Sequence, residues 1–108
     1  MSITPRRLVQ TALSTTVVAV YTVPAGTRTQ ITEVWLANNN TTTTRFVTLR
    51  AHGTAGTNNL IPRIGIAGNG TAMIDGSKIV LTAGEVLAAL QDVGTDVILT
   101  AYGVEEVI

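Results

Sequence analysis

No cysteine occurs in these 108 residues, which excludes a disulfide framework or a thiolate metal site within them and leaves the redox compartment open. Aromatic residues are almost as scarce, with one Trp, one Phe and two Tyr making up 4% of the chain. The sole histidine, His52, leaves no material for a histidine metal cluster. Charge is sparse at 13% of residues, the seven basic and seven acidic groups cancel, and Lys78 is the only lysine. Phosphate binding needs an excess of Lys and Arg on one face, so no nucleic-acid partner is expected. No apolar run reaches membrane-spanning length, and residues 1–10 lack the apolar core of a signal peptide, so a soluble chain without a membrane partner is expected.

What is present is a chain 45% apolar, built from Val, Ile, Leu and Ala, and too apolar to be disordered. Its length suits one domain that removes roughly two thirds of the unfolded surface from water. Residues 1–13 carry Pro5, Arg6 and Arg7, the only adjacent basic pair. They read as an extended N-terminal arm, either docked on a neighbour or solvated like an ordinary terminus. The remainder, residues 14–108, reads as a β-sandwich domain. From Leu13 to Val23 apolar residues recur with period two, and nothing repeats at helical spacing.

Residues 17–51 form the organising stretch and read as a β-meander of three strands. Pro24-Ala25-Gly26 turns the chain, because Pro presets one corner and Gly accepts the positive φ that follows. In the next strand Ile31 and the pair Val34 and Leu36 fall on opposite parities, so one extra residue, a β-bulge near Thr32-Glu33, is predicted. Val34, Leu36 and Asn38 then point inward and Trp35 outward. The run of Asn and Thr over residues 38–44 is too polar to bury and reads as a surface loop. If Val34 and Leu36 pair with Val47 and Leu49, parity places Trp35 and Phe46 together on one outer face.

Further along, Pro62 demotes residues 60–66 to a sheet edge. Gly68-Asn69-Gly70 reads as a hairpin turn and Asp75-Gly76 as another reversal. Residues 85–90 contain good helix formers, but the run is short and flanked by turn residues, which favours a strand. Residues 97–105 form the last long strand. The segments around Val23-Pro24-Ala25-Gly26 and Leu81-Thr82-Ala83-Gly84 echo each other, as two similar fold-overs would. About eight short strands at regular spacing predict a single-domain, all-β antiparallel sandwich of jelly-roll type.

A catalytic inventory is missing. Ser2, Ser14 and Ser77 lack a nucleophile-elbow context, and His52 reads as an exposed polar residue at a strand end. Glycines 65, 68 and 70 run in the reverse order of a dinucleotide fingerprint, and no helix follows them. Asp92 and Asp96 offer two carboxylates where calcium takes six to eight ligands, so a turn is favoured. Asn39, Asn40 and Asn69 each open an N-x-Thr triplet, expected in any Thr-rich chain. No enzyme activity, cofactor or metal is expected. Residues 17–20, 79–81 and 97–99 are apolar on both faces, whereas a sandwich buries one face of each sheet, so a second copy of the chain or the N-terminal arm is expected to cover an outer face.

Four motifs carry a resemblance: V-Y-T-V-P-A-G-T at residues 20–27, L-A-N-N at 36–39, V-L-T-A-G-E at 80–85 and G-V-E-E at 103–106. Together they resemble small structural proteins of tailed bacteriophages over residues 17–106. The resemblance implies a jelly-roll virion component without enzymatic activity that forms a homo-oligomer, most often a trimer. A lone domain with a short arm suits a capsid decoration or cement protein bound to the major capsid protein or other virion proteins. The expected contact residues are Arg6, Arg7 and Leu8 of the arm, with Trp35 and Phe46 as an aromatic face. The alternative is a tail, baseplate or head-fibre component that adapts a receptor-binding protein or binds a host-surface carbohydrate through the Asn/Thr loop.

Overall fold

The computed structural model describes residues 2–108, with side chains described from Pro5 onward. Among the described residues, nine strands form two antiparallel sheets. They are β1 (Ser2–Ala12), β2 (Val18–Thr22), β3 (Thr27–Asn38), β4 (Arg45–Ala51), β5 (Asn59–Ile66), β6 (Thr71–Asp75), β7 (Val80–Leu81), β8 (Val86–Gln91) and β9 (Val97–Val107). The one helical element among the described residues is a 3₁₀ turn at Gly56–Asn58.

The chain pairs from the outside inward. Strand β1 pairs with β9, β2 with β8, β3 with β6 and β7, and β4 with β5. Two further pairings, β3 with β9 and β4 with β8, knit these units into a first sheet ordered β1-β9-β3-β6 and a second ordered β2-β8-β4-β5. This nested order is a jelly roll. Because β6 and β7 occupy successive stretches of the same edge of β3, nine strands fill eight positions. Residues 1–13, expected as an arm, run as edge strand β1 from Ser2 to Ala12, and Met1 lies outside the described residues.

Alternation builds the core. Ile31, Val34 and Leu36 of β3 face Val47, Leu49, Leu87 and Ala89 of the opposite sheet, joined by Leu81, Val97, Leu99 and Ala101. No aromatic ring is fully buried, so the interior is filled by aliphatic side chains of few rotamers. The parity of β3 is repaired where expected: its register on β9 slips between Ile31 and Glu33. The bulged Thr32 turns its hydroxyl to the Tyr102 carbonyl at 3.1 Å.

The two echoing segments are both corners that carry the chain between sheets, one from β2 to β3 and the other from β7 to β8. Gly26 at φ 70° and Gly84 at φ 85° supply the left-handed residue of each. The corners lie side by side, since Gly84 N–H donates to the Val23 carbonyl and Val23 N–H to the Glu85 carbonyl, both at 3.0 Å.

Three expectations fail. The stretch 17–51 is no meander, because β2 and β4 lie in the second sheet and β3 in the first. Gly68-Asn69-Gly70 likewise joins β5 to β6 across the sheets and makes no hairpin. At Asp75-Gly76 the chain does not reverse, since β6 and β7 are both antiparallel to β3. Local turn chemistry marks where a strand ends, while the sheet that receives the next strand is decided by closure of the whole nest.

Candidate functional site

The outer face of the first sheet is a grid that the registers define. One cross-strand row runs Gln10, Thr100, Trp35, Met73. The next on one side runs Ala12, Ile98, Ala37, Thr71, and the next on the other runs Arg7, Tyr102, Glu33, Asp75. A fourth runs Pro5, Val104, Gln30, Val80, and there a shallow depression of about 440 Å³ is lined by Arg28, Gln30, Val80, Val104 and Glu106. Trp35 (38% exposed), Met73 (49%) and Tyr102 (39%) stand out from this grid as neighbours. Thr100 is buried beneath its row, with its hydroxyl accepting from Gln10 Nε2 at 3.1 Å.

The outer face of the second sheet is organised differently. Phe46 pairs with Gly65 across β4 and β5, and Arg63 lies over its ring at 3.9 Å from the centroid. A Cβ at Gly65 would fall 2.9 Å from the Phe46 ring, so the glycine makes room for the phenyl group. Thr48 Oγ1 donates to the Pro62 carbonyl at 2.8 Å, and Arg50 donates to Asn59 Oδ1 at 2.7 Å and the Thr54 carbonyl at 2.5 Å.

Trp35 and Phe46 therefore sit on opposite outer faces, and the aromatic pair expected from parity is not formed. The inward pairing of Val34 and Leu36 with Val47 and Leu49 occurs across the core, between sheets, which turns the two aromatics away from each other. Of the other expected contact residues, Arg7 lies on the Trp35 face, Arg6 has the inward parity and reaches Glu105, and Leu8 sits at a bulge of β1, packed against the core. Met73 and Tyr102 complete the patch. Their outward parity can be read beside Ala72, Ile74 and Ala101, but their adjacency to Trp35 needs the strand order.

Each of the seven carboxylates already has a partner in the chain. Asp96 meets Arg45 Nε at 2.7 Å and Asn40 Nδ2 at 3.3 Å, and the Arg45 contact foremost holds its carboxyl below the ordinary aspartate range. Asp92 Oδ1 accepts from the Phe46 and Val93 backbones, so both candidate calcium ligands serve as loop ties. Asp75 accepts from Ser77 N–H at 2.9 Å and Glu85 from Thr82 N–H at 2.8 Å, bonds that lower both carboxyls. Glu85 also meets His52 Nδ1 at 3.2 Å, and Glu106 pairs with Arg28. Trp35 Nε1 approaches Glu33 at 3.4 Å.

Glu105 joins the sheets at one end: Tyr21 of β2 donates to it at 2.6 Å, Arg6 at 3.1 Å, and Thr29 donates in turn to the Tyr21 oxygen at 2.8 Å. Burial first, and the carboxylate second, push the Tyr21 phenol up to about 12. The Asn/Thr loop is tied down as well. Asn40 Oδ1 accepts from the backbones of Thr42 and Thr43, and Asn38 Nδ2 donates to the Thr43 and Ile66 carbonyls. Among the described residues no three His, Asp or Glu side chains gather as a metal site would require, and no helix is long and apolar enough to cross a membrane.

No family model and no curated protein matches the chain. Among solved structures it is similar to one of the Bacillus endospore appendages, described as a novel family of disulfide-linked pili, with a TM-score of 0.58 and 11% identity over 99% of this chain and 89% of that one. At that identity the likeness is one of fold. It gives no support to a bacteriophage origin, and disulfide linkage has no counterpart here because the 108 residues hold no cysteine.

Proposed function

We propose that this chain is a non-enzymatic structural subunit, a small jelly roll that serves as a building block of a larger protein assembly. The observation that carries this reading is the outer face of the first sheet, where Trp35, Met73 and Tyr102 stand exposed as neighbours. Large apolar side chains clustered on an outer sheet face mark a contact surface. The likeness in fold to a pilus subunit agrees with a building-block role.

The finer reading, supported by the sequence resemblance to small phage structural proteins, is a capsid decoration protein. It would bind the major capsid protein as an oligomer, within a virion. Capsomer junctions repeat with local symmetry, so an oligomer of matching symmetry engages several identical sites and weak contacts add through effective concentration. Antibodies against the purified domain, applied to virions, surface appendages and soluble extract of the source organism, test the reading. Regularly spaced label on a particle or an appendage is expected; label confined to the soluble extract would overturn it.

A further inference from the structure

We infer that the outer face of the first sheet pairs with the same face of a second copy about a two-fold axis parallel to its strands. The inference deepens the structural reading above and rests on it. Such an axis, placed between β9 and β3, exchanges β1 with β6 and β9 with β3. In the grid this lays Trp35 over the partner's Thr100, Ile98 over the partner's Ala37, and Met73 over the partner's Gln10. The first two of these contacts bring a large side chain onto a small one, as interdigitating sheet faces require.

The charges follow the same symmetry. The row Arg7, Tyr102, Glu33, Asp75 is basic at the β1 edge and acidic towards the β6 edge. The two-fold sets Arg7 on the partner's Asp75 and the Tyr102 hydroxyl on the partner's Glu33, and does so twice. An axis across the strands would leave Arg7 at its own edge, without an acidic partner. Self-complementarity of this kind is what an isologous interface demands. Four strands about 4.8 Å apart and four rows about 6.8 Å apart give a footprint of roughly 500 Å² per copy, about 1,000 Å² in total, which is at the lower bound for a specific interface.

The sheet edges, by contrast, are poor templates for a neighbouring strand. Strand β1 carries Pro5 and a bulge at Leu8, β2 has five residues and a register slip, β5 carries Pro62 and two slips, and the β6/β7 edge is broken over residues 76–79. Face pairing is the contact that remains, and it yields a dimer where the phage resemblance implies a trimer.

Charge reversal tests the geometry on surface residues. Arg7→Asp alone and Asp75→Lys alone should each weaken self-association by about tenfold or more, since each sets like charges together. An equimolar mixture of the two should associate at least as tightly as the unsubstituted chain, because every cross-pair then joins opposite charges. Sedimentation equilibrium reads the association, and circular dichroism verifies the fold. If Asp75→Lys unfolds through loss of its Ser77 turn, Asp75→Asn, which keeps an acceptor for the Ser77 N–H, replaces it, and its mixture with Arg7→Asp should then associate more tightly than Arg7→Asp alone. A monomeric unsubstituted protein, a trimer, or a mixture that fails to recover would overturn the inference. Label on a particle together with a monomeric protein would remove the dimer and leave the structural reading standing.

Discussion

The two outer faces of the sandwich carry one bulky aromatic each, Trp35 and Phe46, in opposite circumstances. Around Phe46 the second sheet is closed upon itself: Gly65 makes room for the ring, Arg63 caps it, and Thr48 and Arg50 are tied to β5 and the loop before it. Around Trp35 the first sheet stays open, with Met73 and Tyr102 beside it and charge sorted to opposite edges. An aromatic on a sheet face is thus no sign of a contact surface by itself. Whether its neighbours already satisfy it decides, and that depends on which strands lie alongside.

Both faces stand on the same core, so the largest effect should erase the contrast. Leu36→Ala empties a fully buried position facing the opposite sheet and should cost about 3 kcal/mol in urea unfolding, with both faces lost in one transition. Gly65→Val is smaller and one-sided. The new side chain collides with the Phe46 ring and should cost about 1–3 kcal/mol while leaving association through the first sheet intact, as sedimentation would verify.

A subtler test lies at the polar link between the sheets. The Tyr21 phenol ionises later in the folded chain than in the unfolded one, so its contribution to stability is complete below pH 10 and is lost as pH rises towards about 12. Tyr21→Phe should flatten that alkaline decline in thermal melts and leave the association at neutral pH unchanged.

Much of this architecture was legible in the residues. The parity break between Ile31 and Val34 located the bulge, Pro62 located an edge, and Gly26 and Gly84 located two corners that prove to be neighbours. Period-two alternation says which side of a strand is buried, and it says so identically for either sheet. Nothing local in β3 or β4 records that they belong to different sheets, so parity alone joins Trp35 to Phe46 where the nest separates them. Met73 carries no local sign of its role for the same reason, since its place beside Trp35 exists only through the β3–β6 pairing.

On the proposed pairing, the open face of the first sheet makes the contact and the closed face of the second does not. Sedimentation equilibrium and urea unfolding of Trp35→Ala and Phe46→Ala, measured side by side, address it most directly. Trp35→Ala should be folded and monomeric, with a urea midpoint that no longer depends on protein concentration, whereas Phe46→Ala should remain dimeric and lose about 2 kcal/mol. Association that survives Trp35→Ala and disappears with Phe46→Ala would contradict that pairing.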